Sequence, residues 1–332
     1  LVGSYHQKKP AGITAVAFFD RARLLVVGLF MNQKTLIWPI TLLIAALLSG
    51  CVSQNAASTR IKAFSDATTL VTSNMKAGLD TTENKYFDVQ VQRAVVDYDK
   101  NGFQPGQFKP LFTPESRSIR NAVLDSFSLY GQNLSAMMGN EQLDQFDAAT
   151  KAFGTKLTAL SQTITNTKLF TTKSRPLSDS EVAIVTTAIE GVGTLFIEWK
   201  RGKSVREAVT AMDTNVEVIC EALTNDLKVL RQMVANEYQE GQIAEDQFIR
   251  HNNLDPVTKR AEIRALAQSV VDQRNADATF AAMEQSVVNW RAAHKQLLQV
   301  FEKDKTQIDA LVQQLIADGT RIKAFYDSLQ KQ

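Results

Sequence analysis

"VREAVTAMDTNVEVICEALTNDLKVLRQMVANEY", residues 205–238, decides the fold. Its apolar positions Val205, Val209, Met212, Val216, Ile219, Leu223, Leu227, Leu230, Val234 and Tyr238 follow one another at steps of three or four. Side chains so spaced share one face of an α-helix, whereas a half-buried strand needs steps of two. The stripe persists for about ten turns. A helix of that length with one apolar face must bury it against other helices.

The same spacing recurs on both sides of this stretch. Ile61, Phe64, Val71, Met75, Val89 and Val96 mark a first helix, which the loop "NGFQPGQFKPLFTP" (101–114) ends with two glycines and three prolines. Thr113 and Pro114 form an N-cap and first-turn pair. They open a second helix over 114–138, through Ile119, Val123, Phe127, Tyr130 and Leu134. A third runs from Glu141 to about Asn166 through Leu143, Phe146, Phe153, Leu157, Leu160 and Ile164. Ser178 and Glu181 make a capping box, with Leu177 and Val182 at staple spacing, and so start another. Asp255-Pro256 restarts the chain once more. From Val287 onward a heptad runs through Trp290, His294, Leu297, Phe301, Asp304, Ile308, Leu311, Leu315, Asp318, Ile322, Phe325 and Leu329. A seam that long predicts supercoiled packing. No convincing strand or hairpin alternation and no solenoid repeat appears. The expected fold is all-α: an elongated bundle of about five or six long antiparallel helices with coiled-coil-like packing.

Length and composition agree with a sizeable core: 332 residues, 44% hydrophobic and 22% charged. The formal charge of +2 is an N-terminal effect, because Lys8, Lys9, Arg21, Arg23 and Lys34 face only Asp20 in the first fifty residues. Setting these aside, 37 basic against 35 acidic residues become 32 against 34, a net of −2. The remainder carries no electrostatic footprint for nucleic acid.

Met31 opens "MNQK", followed by the apolar run Leu36–Leu48 and then Ser49-Gly50-Cys51. As a helix, that run reaches roughly 20 Å, short of a bilayer core of about 30 Å. A charged start, an apolar stretch and small residues before the cut are the plan of an export signal. Leu48-Ser49-Gly50-Cys51 resembles the lipobox of bacterial lipoproteins. The resemblance implies cleavage before Cys51, lipidation of its thiol, and anchoring by several acyl chains, each buried CH₂ contributing about 0.8 kcal/mol. Val52, where enterobacterial lipoproteins retained at the inner membrane carry Asp, implies the outer membrane with the bundle facing the periplasm. The expected organisation is therefore an upstream extension over 1–30, a signal peptide over 31–50, a lipidated polar tether over 51–59 and a helical bundle over 60–332.

Beyond Cys51 the residues offer little chemistry. The only histidines there, His251 and His294, lie in no His-x-x-Glu or Glu-x-x-His pattern, and no metal or cofactor is expected. His251, in "IRHNNLDP", reads as a helix C-terminus, where a cation meets the negative end of the dipole. His294, Asp304 and Asp318 occupy seam positions, and each needs a partner on another helix. Cys220 reads as a small buried hydrophobe. Neither a nucleophile elbow nor a phosphate-binding loop is present, and no enzymatic activity is expected.

"VAIVTTAIEGVGTLFIEW", 182–199, is apolar on nearly all sides. Three readings stand: a central helix with Gly191 and Gly193 at a close crossing, a groove filled by a partner or lipid, and a membrane-inserting segment. Val182, Ile189, Gly191, Gly193 and Phe196 are the candidate contacts for a partner or lipid. The expected function is a membrane-anchored lipoprotein whose bundle binds another envelope protein, in a structural, accessory or immunity-type role. The alternative is a membrane-active or lipid-binding bundle.

Overall fold

The computed structural model describes residues 37–138, 205–300 and 306–330, with isolated helical positions at 151, 154, 155, 187 and 194. Among these residues there is no strand, and the fold is an all-α bundle. Its long helices are α1 (Ile37–Val96), α2 (Pro114–Met138), α3 (Val205–His251), α4 (Pro256–Leu297) and α5 (Thr306–Gln330). The chain divides into two compact units, Leu1–Val52 and Ser53–Gln332.

Local chemistry sets the helix ends. Thr113 accepts a hydrogen bond from the Ser116 amide through Oγ1 at 3.1 Å, and Asp255 accepts from the amides of Val257 and Thr258 at 2.9 and 3.2 Å. Both side chains satisfy amides that have no partner within the first turn, and a proline follows each. After the single turn Tyr98–Asn101, Gly102 takes φ 64°, a left-handed conformation that favours glycine.

All ten stripe residues of 205–238 are buried, as are Ile119, Val123, Phe127, Tyr130 and Leu134 of α2. Cross-helix pairs within the second unit give the directions. Arg60 pairs with Asp309, Asn74 donates to the Gly319 carbonyl and Gln330 to Thr81, so α1 and α5 run parallel. Arg231 pairs with Asp277 while Gln242 reaches Ser269 and Gln273, so α3 and α4 are antiparallel. Asn289 donates to Asp318, and Met283 and Ile322 both flank Gly78, so α4 and α5 are antiparallel as well. In α2, Ser128 meets Thr69 and Asp125 meets Lys76, opposite in direction to α1.

α4 is the shared neighbour. It meets α1 through Trp290 and Thr68, α2 through His294 and Tyr130, α3 through Asp277 and Arg231, and α5 through Asn289 and Asp318. Its inner face mixes Phe280, Met283, Val287 and Leu297 with Ala276, Thr279, Ala282, Ser286 and Ala293. Thr279 and Ser286 donate back to the carbonyls of Asn275 and Met283 at 2.8 Å. Small side chains let four helices approach, and the hydroxyls are satisfied without a partner from outside.

Three expectations change. The seam from 287 to 329 is two helices rather than one, because α4 ends at Leu297 and residues 298–300 form turns. No glycine or proline marks that break. On α5 the buried apolar side chains are Ile308, Val312, Leu315, Ile322, Tyr326 and Leu329, with Leu311 and Phe325 only partly buried. α5 packs against both α1 and α4, so its buried face is wider than a two-helix seam. The stretch 51–59 is helical rather than an extended tether, and Ala57 already belongs to the core. Without glycine or proline between 51 and 60, nothing stops the helix from propagating back from Ile61.

Candidate functional site

The residue that looked most out of place on an apolar seam, His294, sits at a polar node where four helices meet. It is fully buried. Nε2 lies 3.0 Å from the Tyr130 hydroxyl, and Nδ1 lies 3.5 Å from Asp213 Oδ1, on α2 and α3 respectively. With the Nδ1 proton toward the carboxylate, Nε2 is left to accept from the Tyr130 O–H. Trp290 stacks on the imidazole at 5.8 Å and on Phe127 at 4.2 Å, and its indole N–H donates to Thr68 Oγ1 at 2.9 Å. Burial lowers the His294 pKa to about 4, with Asp213 pulling it up and Lys295 pushing it down. Burial also raises the Tyr130 phenol, helped by Asp213. The imidazole is therefore neutral at pH 7. Nε2 is occupied by the Tyr130 hydroxyl, and the node ties α2, α3 and α4 to one another at this level.

Asp318 is likewise fully buried, accepting from Asn289 at 2.5 Å and Gln314 at 3.0 Å. Asp304 lies outside the described residues. His251 closes α3, its Nδ1 2.8 Å from the Gln247 carbonyl, as expected of a helix C-terminus. Cys220 is buried, and that burial raises its thiol pKa. One buried pair had no sequence signal. Arg120 and Asp226 meet in a bidentate ion pair at 2.6 and 2.6 Å, and the Arg120 guanidinium lies 4.9 Å from the centre of the Phe112 ring.

Leu48, Ser49, Gly50 and Cys51 lie on α1 within the first compact unit, whose boundary at Val52 falls one residue beyond Cys51. Among the described residues no helix is long and apolar enough to cross a membrane. Val182, Ile189, Gly191, Gly193 and Phe196 lie outside the described residues, as do the Ser178 capping box and most of the third predicted helix.

The surface feature missed in the sequence is an aromatic patch where α1 passes into the 101–113 loop. Phe87, Val91, Val95 and Tyr98 follow steps of four, four and three, and so share a face one residue out of phase with the buried Tyr86 and Val89. Phe87 is 48% exposed, Val95 69% and, on the loop, Phe103 66%. Phe108 ties the loop to the helix, its ring 5.7 Å from Phe87 and 5.9 Å from Phe103. Beside it a cleft of about 440 Å³ is lined by Glu83, Tyr86, Phe108 and Arg117, among others. Burial and the neighbouring Glu237 push the Tyr86 pKa up to about 12. Apolar residues at helical spacing read as core, and only their exposure identifies them as surface. Among the described residues no cluster of three or more histidine, cysteine or acidic side chains is arranged to hold a metal ion. No protein-family model, curated protein or solved structure matches the chain.

Proposed function

We propose that the chain is a lipoprotein, cut before Cys51 and held by acyl chains at the outer membrane, whose periplasm-facing bundle binds another protein of the cell envelope without catalysing a reaction. The aromatic patch carries this reading. Phe87, Val91, Val95, Tyr98 and Phe103 leave large apolar side chains in water, on a helix and a loop held by aromatic contacts. Exposed aromatic clusters beside a polar cleft are what protein interfaces use as anchors. The unit boundary agrees with the processing step, since the second compact unit begins at Ser53 and lies wholly downstream of a cut before Cys51.

Two measurements test it. Palmitate labelling should be lost in Cys51→Ala, with uncut chain accumulating. A photoreactive side chain at 87 or 103 should give one reproducible protein adduct in the native host, abolished by Val95→Asp, while the same probe at the exposed Val288 gives none. Labelling that survives Cys51→Ala, or adducts equal at all three positions, defeats the reading.

A membrane-active or lipid-binding role for 182–199 has one observation in its favour. Gly131 packs on Ser65, and Ile119 and Val123 lie with Ile219 and Leu223. Extending those registers along the helices brings Met138 and Val205 level with Ala57. The described helices on either side of that stretch thus end and begin at the Ala57 end of the bundle, the end close in sequence to Cys51. Val192→Lys should abolish dye leakage from liposomes while the melting curve stays put; leakage unchanged in that variant removes this alternative.

A further inference from the structure

From Pro256 to Val271, roughly four turns, α4 buries no side chain, and its first buried residue is Asp272. α1 ends at Val96, soon after Gln92 and Arg93 reach Glu245 and Glu240 of α3. Helices in proteins are held mainly by burying one face against a neighbour. This stretch has given little of its surface to the bundle.

Its two sides differ in kind. Ala265, Gln268, Ser269 and Asp272 turn inward, toward a cleft shared with Val89 of α1 and Tyr238 of α3. The opposite side reads Arg260, Ile263, Ala267, Val270 and Arg274, at steps of three, four, three and four. That is the seven-residue repeat of a helix seam, and Lys259 and Arg264 fall at the positions that flank such a seam on either edge. Ile263 is 50% exposed and Val271, beside the seam, 42%. Ala267 and all four cations are exposed as well.

The outward side also carries one sign of charge. Lys259, Arg260, Arg264 and Arg274 form no ion pair with a described residue, whereas Arg60, Arg93, Arg231, Arg250 and Lys323 each do. The acids of this stretch, Glu262 and Asp272, are partly buried and buried, away from that side. A helix face left to solvent gains from opposite charges four apart; Arg260 and Arg264 are like charges at that spacing and repel.

These features select an occupant. A second copy of the same face would set four cations against four. Helices that lie on a bilayer carry Trp, Phe or Leu on their apolar side. Residues 256–274 include no aromatic, and their one leucine, Leu266, is partly buried. A helix with an apolar stripe edged by carboxylates matches both the spacing and the charge. We propose that the outward face of 259–274 docks an acidic amphipathic helix of another protein. Ile263, Ala267 and Val270 lie in the seam, and Lys259 and Arg264 pair with carboxylates along its edges. The inference rests neither on the aromatic patch nor on lipidation.

Fluorescence anisotropy with the full chain in detergent tests it. The probe is a labelled three-heptad peptide with leucine at the seam positions and glutamate beside them. Its controls are the same peptide with lysine for glutamate, and a scramble of equal composition. The glutamate peptide should bind saturably at one site, severalfold more weakly as ionic strength rises to about 0.15 M; the controls should not bind. Ile263→Asp, and Arg260→Glu with Arg264→Glu, should each weaken it about tenfold or more. The melting curve should stay in place, because all three positions are exposed. Lys62→Glu and Val95→Asp, exposed elsewhere, should leave affinity unchanged. A dye on Ala267→Cys should be shielded from iodide by the glutamate peptide. Shielding by vesicles of equal parts phosphatidylglycerol and phosphatidylcholine, with none from the peptide, gives the face to lipid and overturns the proposal. No binding, equal binding of the scramble, or affinity unchanged in both Ile263→Asp and the double variant does the same.

Discussion

His294 should make the bundle acid-sensitive over a defined window. Its imidazole has a pKa of about 4 in the folded chain against an ordinary 6.5. Between those values the unfolded chain binds a proton that the folded chain does not, so stability falls as pH drops through the window. At about 1.4 kcal/mol per pH unit, the loss from pH 7 to pH 4 is about 3 kcal/mol. Of the groups facing the imidazole, Asp213 favours the proton and Lys295 opposes it, and burial outweighs both. The comparison is wild type against His294→Gln, each unfolded in urea at steps from pH 7 to pH 4. His294→Gln should be the weaker at pH 7, having lost the Trp290 stack and the shaped contacts to Tyr130 and Asp213. The gap should then close by about 3 kcal/mol as pH falls, because only the wild type must take up the proton to unfold. Titrations common to both proteins cancel in the difference. A gap that stays constant with pH, or widens on acidification, refutes the assignment of a neutral, desolvated imidazole.

Breaking the Arg120–Asp226 pair by Asp226→Asn or Arg120→Met should cost about 3–5 kcal/mol in urea unfolding, and the double variant distinctly less than the two summed. A Cβ added at Gly241 would stand 2.8 Å from Val89 Cγ1, where α1 and α3 cross. Gly241→Ala should therefore destabilise by about 1–3 kcal/mol, and Val89→Ala in the same chain should recover part of it, read from melting curves. Glu245→Gln should stabilise the protein at pH 7 by about 1 kcal/mol, since it removes a charge that burial and Glu262 both disfavour. That advantage should vanish below pH 4.5, where the carboxyl is protonated in the folded and unfolded chains alike; an advantage independent of pH sinks the charge explanation.

Periodicity carried most of the fold into view. The stripe of α3 and the caps at Thr113 and Asp255 stand where the spacing put them, because one-sided burial and first-turn amides leave a direct mark on residue type. The break between α4 and α5 did not. Both helices keep a seven-residue repeat, and the turn at 298–300 contains neither glycine nor proline, so the pattern runs through a chain reversal as if through a straight helix. His294 and Asp318 were visible as misfits needing partners on other helices. That those partners are Tyr130, Asp213 and Asn289 is a matter of tertiary register, which no local spacing encodes. The aromatic patch was hidden for the opposite reason: Phe87, Val91 and Val95 look like core, and exposure depends on where neighbouring helices stop.

The parallel pairing of α1 with α5 also sets an order in time. Arg60 and Asp309 are 249 residues apart, as are Thr81 and Gln330. At roughly 5–20 residues per second of synthesis, about 10–50 s separate the appearance of the two halves of each pair. Among the described helices, the one that emerges first is thus completed by the one that emerges last, and until then Leu70 and Val71 have no α5 to lie against. A nascent chain of this topology needs its apolar faces shielded by something other than itself. A truncation before Thr306 would make that interval permanent.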